Sequence, residues 1–401
     1  MLPISAEHLS PRAVAEVASR PPHQAVVAIM AFLTVVDLFS TQAILPVLTR
    51  HYGVSAAAMG TAVNFCTVGM ALASLMFAYY GRRIDRRYGI ALSLAILAVP
   101  TALLAGAPDL FTFAGLRFVQ GLCMAGAFTL TLAHLAEVTS VDGTNSAFAA
   151  YITGNVASNL LGRLMSASLA DLVGVSSSFH VFAALNIAGA LLAWFVVIPD
   201  QRARSTAQLP GMSDAMAHVR DARLSVSFAI GACILFAFVG TFTYVNFVLV
   251  GAPISLDMMS VGFVYFVFLP SVVTTPLAGR VSARIGTQQA LWAGLGLALV
   301  GLSGVLTSSL PAVLLGLTLV GVGTFLAQAT ATGYVATIAR ATHESTATAN
   351  GLYLAAYFFG GLLGSVILGL VFDRWGWNAT VAGIALALII AGLLARHLRS
   401  P

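Results

Sequence analysis

The sequence predicts an all-α membrane protein, with twelve transmembrane helices arranged as two pseudo-symmetric six-helix bundles. Three observations predict it. The 401-residue chain is 59% hydrophobic and only 8% charged, with a mean hydropathy of +0.94, whereas a soluble chain of this length needs far more charge to cover its surface. Stretches apolar enough to cross a hydrocarbon core of about 30 Å recur from one end to the other. Segments of the first half return in the second.

In chain order, apolar runs between polar breaks place helices at about 24–48, 56–80, 89–107, 110–136, 147–172 and 176–198, then at about 224–250, 258–278, 288–307, 310–337, 347–371 and 379–396. The domains follow as an N-terminal tail (1–23), a first bundle (24–198), a linker (199–223), a second bundle (224–396) and a C-terminal tail (397–401). The linker is the longest polar segment, with Pro199, Pro210 and Gly211 among mixed charges. The first 22 residues carry Glu7, Arg12, Glu16 and Arg20 and no signal-peptide core, so the first span itself is expected to direct insertion.

Arginine placement predicts the orientation. There is no lysine, and all 19 basic residues are Arg. With the N-terminus in the cytoplasm, 15 of them fall in cytoplasmic segments, two outside (Arg50 and Arg374) and two within spans (Arg117 and Arg163). Cytoplasmic loops are enriched in this way, so both termini are expected in the cytoplasm, in a bacterial-type inner membrane. The net charge of +5 is then a topology signal and carries no nucleic-acid footprint. Cys66, Cys123 and Cys233 lie in apolar spans at unrelated spacings and read as small core residues.

The repeat is visible in two places. Gly81-Arg82-Arg83-Ile84-Asp85-Arg86 after the second span returns as Gly279-Arg280-Val281-Ser282-Ala283-Arg284 after the eighth. Tyr151, Gly162 and Asp171 of the fifth span return as Tyr353, Gly364 and Asp373 of the eleventh, each 202 positions on. Two parallel six-helix repeats are a common plan of secondary transporters, with the substrate held between them near the midplane.

On these residues the chain resembles the major facilitator superfamily over essentially its whole length. Gly81 to Arg86 is similar to that superfamily's loop 2–3 signature, although the closing glycine comes one residue late, at Gly89. The second copy, Gly279 to Gly286, keeps the spacing but has Ala283 in place of the acid. Arg117-Phe118-Val119-Gln120-Gly121 resembles the fourth-helix motif of proton-driven members. Asp37 with Gln42 and Pro46 resembles the first-helix pattern of twelve-span drug and metabolite exporters, including the arabinose-efflux-permease-like group. The fifth helix keeps Gly162 but has Asn159 and Arg163 where antiporters often place Pro and Gly.

Burying a charge in a bilayer costs roughly 2.5–3.5 kcal/mol even on lenient scales, so charges at depth tend to have a task. Asp37 lies about 13 residues, roughly 20 Å, into its helix at 1.5 Å per residue. Two roles fit it: a proton carrier, or a permanently ionised partner for an arginine. Arg117 is expected to sense the charge of Asp37. Arg163 either binds an anionic substrate or pairs with Asp37. The resemblance implies a gate in the loops, formed by Gly81, Asp85, Arg86, Gly279, Arg280 and Arg284, of which the second copy locks less firmly.

For substrate contact the expected residues are Gln42, Asn64, Tyr151, Asn155, Asn159, Arg163, Tyr244, Asn246, Tyr353 and Tyr357. Most buried amides serve as helix glue, worth on average about 0.6 kcal/mol, and Asn155 and Asn159, one turn apart, are the exceptions. No enzyme signature, metal-ligand cluster or cofactor motif is found. The expectation is a monomeric secondary transporter that exports a small organic compound or drug in exchange for protons. A proton-coupled importer or facilitator of a small metabolite, including an organic anion, is the alternative.

Overall fold

The computed structural model describes residues 24–80, 83–138, 141–197, 218–341 and 346–398, and among them every regular element is helical. The first span is Gln24–Ala43, continued after a break at Ile44 by Leu45–Tyr52. The second is Ala56–Asn64 and Cys66–Tyr80, bent at Phe65. The third, fourth, fifth and sixth are Arg86–Leu103, Leu110–Val138, Val141–Leu172 and Val175–Val196. The seventh is Ala222–Val250, and the eighth, Met258–Ile285, is assembled from short α and 3-10 pieces. Thr287–Val305 and Leu310–Ala341 are the ninth and tenth.

Thr346–Leu394 holds the last two spans in one run of helix. Gly376 breaks it with φ 77° and ψ −170°, a backbone conformation suited to glycine. Beyond it the chain folds back: a Cβ on Gly383 would lie 2.7 Å from Leu368, 15 positions earlier. Among the described residues, ten helices are long and apolar enough to cross a membrane. Counting the two arms around Gly376 separately and adding the 32-residue Val141–Leu172 gives the predicted twelve.

Three sequence boundaries need correction. The first span is not one helix to residue 48, because Pro46 starts a new segment whose N-cap, Ile44, has φ −95° and ψ 10°. The fourth span runs on to Val138 and the fifth begins at Val141, so the polar stretch read as a loop is mostly helix. The third begins at Arg86 because the Asp85 carboxylate accepts from Tyr88 N at 3.0 Å and caps it. The predicted tail 1–23 and most of the linker lie outside the described residues.

In the first bundle, span 1 packs on span 5, span 2 on span 4, and span 3 on spans 4 and 6. The second bundle pairs 7 with 11 and 9 with 10. Glycines let the central pairs approach closely: a Cβ on Gly162 would stand 3.0 Å from the Val36 carbonyl, and one on Gly364 2.5 Å from the Phe236 carbonyl. The pairs 1·5 and 7·11 are therefore built alike, as the 202-residue repeat predicts. The bundles meet through spans 2 and 11, 5 and 8, and 1 and 7. Outward-facing apolar side chains such as Leu92, Val300, Leu370 and Leu386 are exposed, as a lipid-facing surface requires.

Candidate functional site

Asp37 is 1% exposed and points into the first bundle. Its Oδ2 accepts from Asn186 Nδ2 of the sixth span at 2.6 Å and from Thr101 Oγ1 of the third at 3.2 Å. Its Oδ1 is buried with no hydrogen-bond partner. Arg117, fully buried in span 4, donates Nη1 to the main-chain carbonyl of Asp37 at 3.0 Å and to Gln120 Oε1 at 2.6 Å. Its Nε reaches the Val63 carbonyl at 2.8 Å and its Nη2 reaches Cys66 Sγ at 3.0 Å. Gln120 Nε2 closes the ring of contacts onto Thr101 Oγ1 at 2.7 Å.

A second polar cluster crosses between the bundles. Arg163 is also fully buried. It donates Nη2 to Gln42 Oε1 and Nη1 to Asn159 Oδ1, the latter at 2.6 Å. Gln42 Nε2 donates to Asn64 Oδ1 at 2.8 Å, and Asn64 Nδ2 reaches Thr243 Oγ1 at 3.2 Å and Ser365 Oγ at 3.1 Å in the other bundle. Asn246 Nδ2 donates to the Gln42 carbonyl at 3.0 Å, and Tyr265 OH to Asn246 Oδ1 at 2.6 Å. Nearby, Tyr244 OH donates to the Ser365 carbonyl at 2.5 Å. The Asp373 carboxylate of span 11 accepts from Ala57 N, at the start of span 2, at 3.2 and 3.3 Å. These contacts hold the bundles together on one face.

Beside this cluster lies a small, partly open cavity of about 70 Å³ between the bundles. Phe39, Gln42, Thr67, Met70, Phe128, Asn155 and Asn159 line it from the first bundle, and Leu235, Phe238, Phe325, Gln328, Tyr357 and Phe358 from the second. Its wall is aromatic and aliphatic, with four amides to orient a guest. The lining, more than the volume in this closed arrangement, is of the kind that receives small molecules.

With this geometry in place, the sequence comparisons decide the family. The model of the Major Facilitator Superfamily matches residues 27–347 and 253–401. The chain belongs to that superfamily. It is 26% identical over 378 residues to the uncharacterized MFS-type transporter YybF of Bacillus subtilis, covering 92% of each chain. It is 26% identical over 363 residues to the inner membrane transport protein YnfM of Escherichia coli, covering 90% of this chain and 86% of that one. Among solved structures, a bacterial homologue of the human lysosomal transporter Spinster superposes with a TM-score of 0.70 at 15% identity, over 97% of this chain and 95% of that one. The chain is therefore a multi-pass membrane transporter, and the structural likeness establishes its fold.

Within this transporter the predicted residues separate into groups. Gln42, Asn155, Asn159 and Tyr357 line the cavity. Arg163, Asn64, Asn246 and Tyr244 lie where the bundles meet, Arg163 against the Tyr265 ring and Tyr244 against Gly60. Tyr151 and Tyr353 do neither. Tyr151 OH donates to the Phe128 carbonyl at 3.2 Å, and Tyr353 packs over Gly231. They are helix-packing tyrosines, equivalent by the repeat. Of the two alternatives for Arg163, pairing with Asp37 is not what the geometry shows. No guanidinium comes within 4.0 Å of the Asp37 carboxylate among the described residues. Arg117 holds the Asp37 backbone instead, and Arg163 is engaged one and a half turns further along span 1, at Gln42.

Of the gate residues, Gly81 lies outside the described residues. Asp85 caps the third span and Arg86 is 5% exposed. In the second copy Gly279, Arg280 and Arg284 are exposed. Sequence reasoning did not single out Thr101, Thr243 and Ser365 as partners, nor the hold of Arg117 on Cys66. Hydroxyls in apolar helices give little signal, because they satisfy themselves on their own helix, as Thr101 does with the Leu97 carbonyl at 2.8 Å.

Proposed function

We propose that this transporter exports a small organic compound across a bacterial inner membrane in exchange for protons, as a monomer with both termini in the cytoplasm. The observation that carries this reading is the Asp37 carboxylate, buried in the membrane interior and bonded only by the neutral groups of Thr101 and Asn186, with Oδ1 unpartnered. A carboxyl held this way gains no ion pair to fix its charge, so proton binding changes its energy strongly.

Span 1 links that proton to the guest. Asp37 faces spans 3, 4 and 6, while Leu38, Phe39 and Gln42 on the same helix line the cavity. Taking up or losing a proton changes the charge that span 1 carries at its buried back, while its front meets substrate. Arg117 ties the Asp37 backbone to span 2 through the Val63 carbonyl, so a shift of span 1 carries span 2 with it. Asp85 and Arg86 at the start of span 3, with Arg280 and Arg284 in the second copy, gate the opposite face. One proton moving across 100 mV supplies about 2.3 kcal/mol to drive the cycle.

The test uses energised inverted vesicles containing the full chain. Addition of an exported compound should collapse part of the proton gradient, and Asp37→Asn should abolish that response while still folding. Proton exchange that persists in Asp37→Asn removes Asp37 from the role.

A further inference from the structure

Arg163 is a buried cation with no acid beside it. Among the described residues no carboxylate lies within 4.0 Å of its guanidinium, and its buried Nε has no partner. Its neighbours are the side-chain oxygens of Gln42 and Asn159 and five aromatic rings. The ring centres stand 4.7 Å (Tyr265), 4.8 Å (Phe39), 5.2 Å (Phe268), 5.7 Å (Phe242) and 5.9 Å (Phe238) from its central carbon.

The cage is divided between the bundles. Phe39 shares the first bundle with Arg163, whereas the other four rings belong to spans 7 and 8. Alternating access requires this face to open at another point of the cycle, and any separation there removes those four rings from the guanidinium together. The cation is then left with the Phe39 ring and with Gln42 and Asn159, neutral acceptors that also line the cavity. A carboxylate displaces neutral acceptors from a guanidinium, because it adds the attraction of opposite charges and accepts two parallel N–H bonds at once. The rings uncovered by the same movement offer flat apolar surface to the rest of the guest.

We propose that Arg163 is the anion-binding group of the substrate site, caged by aromatic rings when this face is shut and paired with the guest's carboxylate when it opens. The substrate is accordingly an organic monoanion with an apolar or aromatic body. A single guanidinium among rings and amides compensates one negative charge and leaves a dianion under-compensated. This rests on the transport reading given above and names its substrate class.

The test is binding to purified full-length protein in lipid nanodiscs at neutral pH, with three matched pairs of probes: benzoate and benzamide, phenylacetate and phenylacetamide, hexanoate and hexanamide. Each pair has one shape and differs in charge. In the wild type at least one acid should raise the melting temperature where its amide does not, and Arg163→Gln should weaken that acid by on the order of thirtyfold or more. Asn159→Asp places a permanent carboxylate where Asn159 Oδ1 already meets Arg163 at 2.6 Å. It should raise the melting temperature without ligand and abolish the preference for acids, which decides the matter even if Arg163→Gln fails to fold. The inference is overturned if no acid outperforms its amide, or if the preference survives in Asn159→Asp. Equilibrium binding without a gradient reads Arg163 alone and proton exchange in Asp37→Asn reads the coupling, so either can fail by itself.

Discussion

Arg117 donates to the main-chain carbonyl of Asp37 at 3.0 Å and leaves its carboxylate to Asn186 and Thr101. The guanidinium is satisfied by the Val63 and Asp37 carbonyls, Gln120 and Cys66, whatever the charge on the acid. Arg117 thus clamps spans 1, 2 and 4 together.

Arg117→Gln should therefore destabilise the fold far more than Asp37→Asn does. It removes buried hydrogen bonds from a charged donor to the Val63 and Asp37 carbonyls and to Gln120, each worth about 1.5–3 kcal/mol, whereas Asn at 37 can still accept from Asn186, so a change within about 1 kcal/mol is expected there. Thermal unfolding in detergent measures both. Equal losses in the two variants would mean that the arginine acts through the carboxylate after all.

Tyr244 is wedged between two glycines from different bundles. A Cβ on Gly60 of span 2 would lie 2.6 Å from its hydroxyl, and one on Gly369 of span 11 would run into the same hydroxyl and lie 2.9 Å from Ala57 Cα. The approach of Gly60 to Tyr244 crosses the bundles and exists only while the face is shut. Gly60→Ala, whose added Cβ meets only Tyr244 and Thr243 of the other bundle, should cost the shut state about 1–3 kcal/mol by overpacking, moving the population toward the open one roughly five- to 150-fold. Spin-label distances between spans 1 and 7 across this face should lengthen. Unchanged distances at unchanged stability would show that the face opens without parting Tyr244 from Gly60.

How much of this was legible in the sequence depended on the range of the interaction. The 202-residue repeat and the run lengths gave the twelve helices, because burial in lipid leaves a continuous apolar trace. The break at Ile44 was hidden, since a single proline can sit within a helix or start one, and Pro46 does the latter. Asp37 and the two arginines stood out as charges at depth, but their partners did not. Which donor faces Asp37 depends on how spans 3 and 6 turn about their axes, and Thr101 and Asn186 carry no marker of that rotation. The contact of Asp373 with Ala57 joins positions 316 apart, and only the assembled bundles bring them together.

That contact makes its own prediction. Asp373 is an acid of one bundle at the N-terminus of a helix in the other, where Ser55 is already the N-cap through its bond from Ala58 N at 3.2 Å. Its repeat counterpart Asp171 is exposed. A carboxylate at a helix N-terminus contributes 0.3–1 kcal/mol, up to about 2 kcal/mol where partly buried. Asp373→Asn should open this face by about two- to thirtyfold in population. Maleimide labelling of a cysteine introduced near Ser55 should accelerate accordingly, while Asp171→Asn leaves the rate alone. Equal effects from the two would show that the acid at 373 has no special hold.

A pH prediction follows from Asp221, which precedes the seventh span. Hydrogen bonds from the Arg223 side chain, and then from the Arg223 main-chain N–H, hold its carboxyl below the ordinary 3.8. A carboxyl with a depressed folded-state pKa adds stability that is fully present above the unfolded value and is lost as pH falls through the folded one. The contribution is therefore constant at neutral pH and begins to fall away below about pH 4. Arg223 is 40% exposed, so the ion pair is worth less than about 1 kcal/mol after screening. Asp221→Asn keeps an N-cap oxygen and removes the charge, and it should melt slightly below the wild type at pH 7, with the gap closing toward pH 3.5. Asp221→Ala also loses the cap and should be about 1 kcal/mol less stable at every pH in that range. A gap between wild type and Asp221→Asn that widens on acidification has the wrong sign and would assign the pair no stabilising role.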